Sequence, residues 1–261
     1  MERGRAAAAE AAAEAVAEAG IVKPIRNAKT PTLAPRVLMA ATPVDLDFLA
    51  RQTQAHAAGS RKLYTSRLIH TASARGELTI VGPLMGAPYA VMLLETLVAW
   101  GACEFLFVGW CGALTHEIAI GDLLWASEAH IDEGSSPAYG QQWQGRVPPS
   151  GEGLGQRAAA QLEAQGLQLR RGPVWTTDAI FRETPTKVAH FQKKGALAVE
   201  MEVSALYSAA AFHGVSILAL LTVSDSLADD VWRPGFRNDD FKRNRQRLCE
   251  AALKICLEKD P

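Results

Sequence analysis

Phe105-Leu106-Phe107-Val108-Gly109-Trp110-Cys111-Gly112-Ala113-Leu114 begins as a short apolar run and closes on two glycines. The run Phe105–Gly109 predicts a strand covered on both faces, as in a parallel sheet between helical layers. Glycine at such a strand's C-terminal end lets a ligand reach backbone N–H groups, at the edge where open α/β sheets bind ligands. Taken alone, the stretch reads equally well as a plain tight turn.

Similar runs flank it. Strands are expected at Val37–Ala41, Leu78–Gly82, Asp122–Ala126 and Ile217–Val223. Helical patterns lie between them at Val44–Ala57, Ala87–Trp100, Gly155–Gln165, Thr186–Lys194 and Glu200–His213. Asp239–Leu257 carries Phe241, Leu248, Ala252 and Ile255 on one stripe, so it should pack back as a terminal helix. Arg146–Gly155, rich in Gly and Pro, reads as the one long interior loop. The alternation predicts an α/β fold with a mixed, mostly parallel sheet. The domain is expected over 36–261, behind a 1–35 segment. There, residues 6–19 hold ten Ala, three Glu and one Val, an appended helix stopped by Gly20. The three prolines of Ile21–Pro35 make an extended lead-in.

The 261 residues carry 27 Lys+Arg against 28 Asp+Glu, so bulk charge gives no reason to expect nucleic-acid binding. No run of 18 apolar residues suggests a spanning helix, and Glu10, Glu14 and Glu18 interrupt the place of a signal peptide's apolar centre. A cytoplasmic protein with no membrane partner is expected. Cys103, Cys111, Cys249 and Cys256 lack zinc-ligand spacing and read as buried thiols. His116 and His130 read as surface or loop residues. No metal or cofactor is implied.

Two further clusters carry chemistry. In Val199-Glu200-Met201-Glu202-Val203 two carboxylates flank a methionine just after an apolar run. A sugar diol needs a carboxylate accepting two O–H bonds above an apolar floor, although the pair also suits a helix N-terminus. In Leu221-Thr222-Val223-Ser224-Asp225 a strand delivers an acid at its C-terminal end, as a proton donor or an ordinary helix cap.

In this order, the three clusters resemble the nucleoside phosphorylase superfamily: purine nucleoside and uridine phosphorylases and their nucleosidase relatives. Gly82-Pro83-Leu84-Met85-Gly86-Ala87-Pro88, Asp132-Glu133-Gly134-Ser135-Ser136 and Thr177-Asp178 add to the likeness, which runs from about Asn27 to Leu257. The resemblance implies a three-layer α/β/α fold, a homo-oligomer (dimer, trimer or hexamer) and cleavage of an N-glycosidic bond. It gives Glu202 to the ribose hydroxyls and Met201 to the sugar face. Asp225, beside Ser224, becomes the acid at a purine leaving base, assisted by Arg237. Ile180 and Phe181 fall at the base-stacking positions.

The acceptor site departs from the pattern. Where phosphorylases carry Gly-Asp-Pro-x-Arg, this chain has Ala41-Thr42-Pro43-Val44-Asp45, and Phe107 and Trp110 replace an arginine and a hydroxyl around Gly109. Two cations have been lost and a carboxylate gained, so a phosphate dianion would be repelled unless Arg61, Arg67 or a neighbouring subunit compensated. By motif position Asp45 matches the nucleosidases' catalytic carboxylate, the base for a water. The family's 5′-hydroxyl histidine appears as Ile25, favouring a deoxy or apolar 5′ group. Hydrolysis of a purine-type nucleoside is therefore the leading expectation. The alternatives are phosphorolysis at a non-standard site, purine- or uridine-directed, and a non-catalytic protein that binds a nucleoside or base.

Overall fold

The computed structural model describes residues 19–53, 60–73 and 76–258. The alanine-rich helix expected over 6–19 therefore lies outside the described residues but for Ala19, as does the end of the helix expected over Val44–Ala57. Residues 21–35 form no helix or strand; Thr30 N–H closes one turn onto the Asn27 carbonyl (2.9 Å).

In chain order the elements are β1 (Arg36–Ala40), α1 (Pro43–Gln52), β2 (Ser60–Leu63), β3 (Ser66–Ser73), β4 (Gly76–Gly82), α2 (Ala87–Ala99), β5 (Glu104–Ala113) and β6 (Leu123–Asp132). There follow β7 (Arg146–Val147), α3 (Glu152–Ala164), β8 (Arg170–Thr177), α4 (Pro185–Lys193), β9 (Ala198–Glu200), α5 (Val203–His213), β10 (Ser216–Ser226), β11 (Arg233–Pro234) and α6 (Asp239–Leu257). The mixed sheet runs β11-β10-β6-β8-β9-β5-β1-β4-β3-β2, with β7 on β6.

Strand periodicity sorts the core into two layers. Val37 and Met39 face the apolar side of α2 and α5, with Leu93, Leu94 and Leu206. Leu38 and Ala40 face the other way, onto Leu46 and Leu49 of α1 and Leu248 and Ile255 of α6. The result is helices, sheet, helices. A smaller cluster seats α4, where Phe191 stacks on Trp175 with centroids 4.4 Å apart and planes at 13°.

Strand length is where the structure departs most from the apolar runs. β5 continues through Gly109 to Ala113, because Glu104–Val108 pair with β1 while Gly112 and Ala113 pair with β9. Since β10 pairs both β5 and β6, the strands β5, β10, β6, β8 and β9 close a ring. The hairpin β2–β3 escaped the sequence reading because edge strand β2 is polar and mostly exposed, and β3 sets only Leu68, Ile69 and Ala72 among polar residues. β8 escaped because Gly172-Pro173 reads as a turn; here a Cβ at Gly172 would lie 2.2 Å from Leu197 Cδ1. Arg146–Gly155 is not one loop, since it holds β7 and the start of α3. His130 is not on a loop either but 1% exposed in β6, beside Phe191 (5.8 Å), and burial lowers its pKa. Cys103 is exposed, whereas the other three thiols are buried.

Candidate active site

Three parallel neighbours, β1, β5 and β10, bring their C-terminal ends to one edge of the sheet, beside the N-terminus of α5. A cavity of about 280 Å³ opens there, lined by side chains from both acidic clusters.

The sugar side is built around a buried carboxylate pair. β9 ends at Glu200, whose Oε2 accepts the N–H groups of Glu202 and Val203, both at 2.7 Å. Glu200 thereby satisfies N–H groups at the start of α5, and Thr176 Oγ1 donates to its other oxygen. Glu202, 6% exposed, faces the cavity and accepts the Gly86 N–H at 2.5 Å. The glycine stretch before α2 thus grips the same carboxylate. Burial, reinforced by Glu202, pushes Glu200 up to about 8. Burial also pushes Glu202 up to about 7, against the Gly86 and Met201 N–H groups, which favour its charged form.

That pair makes stability pH-dependent. Between the ordinary carboxyl value of 4.5 and about 8 the native protein binds protons that the unfolded chain releases. Unfolding free energy therefore falls as pH rises through this window and levels off above it. The urea midpoint should drop between about pH 5 and pH 8. Glu200→Gln should flatten the slope; an unchanged slope in that variant would contradict the assignment.

The opposite side depends on a β-bulge. Val223 pairs with Cys111 and Asp225 with Gly112, leaving Ser224 as the extra residue that re-aims the strand end. Both Ser224 and Asp225 line the cavity. Ser224 Oγ donates to Asp225 Oδ1 (2.6 Å) and Trp232 Nε1 to Oδ2 (2.9 Å). A Cβ at Gly112 would sit 3.1 Å from that same Oδ2, so the glycine makes room for the acid. Glu183 lines the cavity too, pushed up to about 7 by burial and then by the Asp225 charge.

Asp45 takes a different part from the one its motif position implied. It is 2% exposed and absent from the cavity lining. Arg245 Nη1 donates to its Oδ1 (2.5 Å); Trp110 Nε1 and Thr42 Oγ1 donate to its Oδ2, each at 2.8 Å. A carboxylate with both oxygens engaged and no contact with solvent is not positioned as a base for water. Trp110 fills the space in front of it, edge-on to Phe241 at 5.1 Å and 87°.

The profile of the phosphorylase superfamily matches residues 35–258. The chain belongs to the phosphorylase superfamily. A DeoD-type purine nucleoside phosphorylase of Geobacillus kaustophilus (strain HTA426) is 30% identical over 236 residues, 89% of this chain and 95% of its own. Purine nucleoside phosphorylase from Toxoplasma gondii, solved with immucillin-H, superposes at TM-score 0.76 and 16% identity, covering 92% of this chain and 97% of that one. The 5′-methylthioadenosine/S-adenosyl homocysteine nucleosidase of Campylobacter jejuni gives 0.73 and 19%, covering 85% and 98%. The superfamily's enzymes cleave nucleoside N-glycosidic bonds, as phosphorylases or nucleosidases, and this member is such an enzyme.

In this superfamily member the cavity brings together Glu202, Met201, Ser224, Asp225, Ile180, Ala41 and Trp110. Other candidates fall outside it. Phe107 and Gly109 are buried in the sheet, the ring lying 2.9 Å from where a Gly109 Cβ would stand. Phe181 is 96% exposed and Arg237 is exposed, and neither lines the cavity. Sequence reasoning missed Glu183 and Trp232, which sit on loops with no periodicity or motif to mark them. Among the described residues no cluster of His, Cys, Asp or Glu could hold a metal ion, and no helix is long and apolar enough to cross a membrane.

Proposed function

We propose that this enzyme hydrolyses the N-glycosidic bond of a purine-type nucleoside, with water rather than phosphate as acceptor. One observation carries the reading: Glu202 and Asp225 line a single cavity whose lining, among the described residues, includes four carboxylates and no Lys, Arg or His. Glu202 would accept the ribose hydroxyls, with Met201 packed on the sugar. Asp225, held by Ser224 and Trp232 and entering the cycle protonated, would give its proton to the departing base, which stacks toward Ile180, and take one back from the water that adds to the sugar. Bond breaking builds positive charge on the sugar and negative charge on the base, and these two walls meet those charges.

Phosphate is disfavoured on the same grounds. A phosphate dianion is held by cations and by donors that match its charge. Glu183, Glu200 and Glu202 keep protons toward neutrality, and among the described residues the lining supplies no positive charge to hold the dianion. Arg67 is paired with Asp47, and Arg61 lines a separate surface cavity with Lys29 and Lys62. Kinship with the Geobacillus enzyme favours phosphorolysis as the second reading, with cations reaching the site from a neighbouring subunit.

Adenosine, inosine and 5′-methylthioadenosine, each offered with and without phosphate, separate the two. Free base and free ribose (or its 5′-methylthio form) should appear at rates indifferent to phosphate. Strict phosphate dependence would select phosphorolysis, and no turnover of any of these nucleosides would sink both readings. We expect the working unit to be a cytoplasmic homo-oligomer, which sedimentation velocity on the purified protein checks for assembly.

A further inference from the structure

Three donors from three separate elements converge on one buried carboxylate beside the cavity. Arg245 comes from α6, the Trp110 indole from β5 and the Thr42 hydroxyl from the N-cap of α1. The Cys249 thiol adds a weak contact to Oδ1 at 3.7 Å. The Arg245 side chain is 9% exposed, and its guanidinium carbon lies 5.9 Å from the centroid of the Trp110 ring. Asp45 itself stands in the first turn of α1, where the helix dipole favours negative charge.

With the Asp45 carboxylate removed, this arrangement is an anion hole. A guanidinium, an indole N–H and a hydroxyl would point at one carboxylate-sized vacancy, and Trp110 and Thr42 are shared with the cavity wall. A buried guanidinium needs an anionic partner, and the chain supplies it covalently. We propose that Asp45 is the built-in occupant of an oxyanion site, and that by filling it Asp45 fixes acceptor specificity, leaving water as the acceptor. This specificity role rests on the hydrolytic reading above; the masked oxyanion site does not.

The test uses the full-length protein with sodium formate and inorganic phosphate as probes, against chloride at equal ionic strength. Wild type sets the baseline shift among the three salts, since phosphate stabilises folded proteins non-specifically by exclusion from their surface. Asp45→Ala should melt lower in chloride and regain about 5 °C more than wild type does with formate, the ion that matches the vacancy. Asp45→Ala combined with Arg245→Met should show no such gain. If formate raises the melting temperature of Asp45→Ala no more than that of wild type, or raises that of the double variant equally, the site does not exist. Should Asp45→Ala fail to fold in chloride, refolding in formate replaces the melt: recovery only in formate supports the site, and failure in both overturns it.

The acceptor role has its own readout. Phosphate should leave wild-type turnover unchanged and alter that of Asp45→Ala at least several-fold, with ribose 1-phosphate among the products. Indifference of both proteins to phosphate would overturn the specificity role. A wild type that cleaves no nucleoside sinks the hydrolytic reading, while the melting result still decides the oxyanion site.

Discussion

Asp225→Asn should lower kcat for nucleoside cleavage by roughly 10²–10⁴, the usual worth of a positioned general acid, with KM changed only a few-fold. The substitution is nearly isosteric. The Asn carbonyl would still accept the Trp232 indole N–H, and its amide would face Ser224 Oγ, so the bulge should survive. What is lost is a transferable proton. A riboside whose leaving group departs readily as an anion, such as p-nitrophenyl riboside, should lose far less than adenosine does. Equal losses on both substrates would mean that the variant damages the site generally and that Asp225 is not the acid.

Glu202→Ala should cost roughly 10²–10⁴ in kcat/KM, with both constants affected. Hydrogen bonds to a charged group contribute about 1.5–3 kcal/mol each, and a diol supplies two. The deletion also leaves the Gly86 N–H without its acceptor at the start of α2. A diol-gripping role predicts a selective loss: wild type should discriminate strongly against 2′,3′-dideoxynucleosides, and the variant should turn over ribo and dideoxy substrates at similar rates. Retained discrimination would place the hydroxyl contacts elsewhere, with Glu200 next to be tested. Both variants are to be compared with wild type by urea unfolding, since Glu202 belongs to the buried pair that shapes the pH dependence of stability.

Much of the fold was legible because its signals are local. Apolar runs such as Val37–Ala40 and Ile217–Val223 and the 3.6-residue stripe of α6 depend on neighbours a few positions away. The ends of β5 and β10 were not, because those strands continue through residues whose partners lie far off in the chain: Gly112 pairs with Val199 and with Asp225. The bulge at Ser224 is likewise a property of two strands, not of one.

The site divides in the same way. The amino-acid order alone determined that acids would stand at the ends of an apolar strand and at the start of a helix, and that the arginines of a phosphate site were missing. Only the tertiary structure decided what Asp45 does, since its partners lie 65 residues away at Trp110 and 200 residues away at Arg245. A carboxylate's chemistry is set by the charges and donors within a few ångströms of it, and by whether water can reach it. Those neighbours are chosen by packing, so the same Asp that reads as a base in the sequence becomes, once folded, the counter-ion of an arginine.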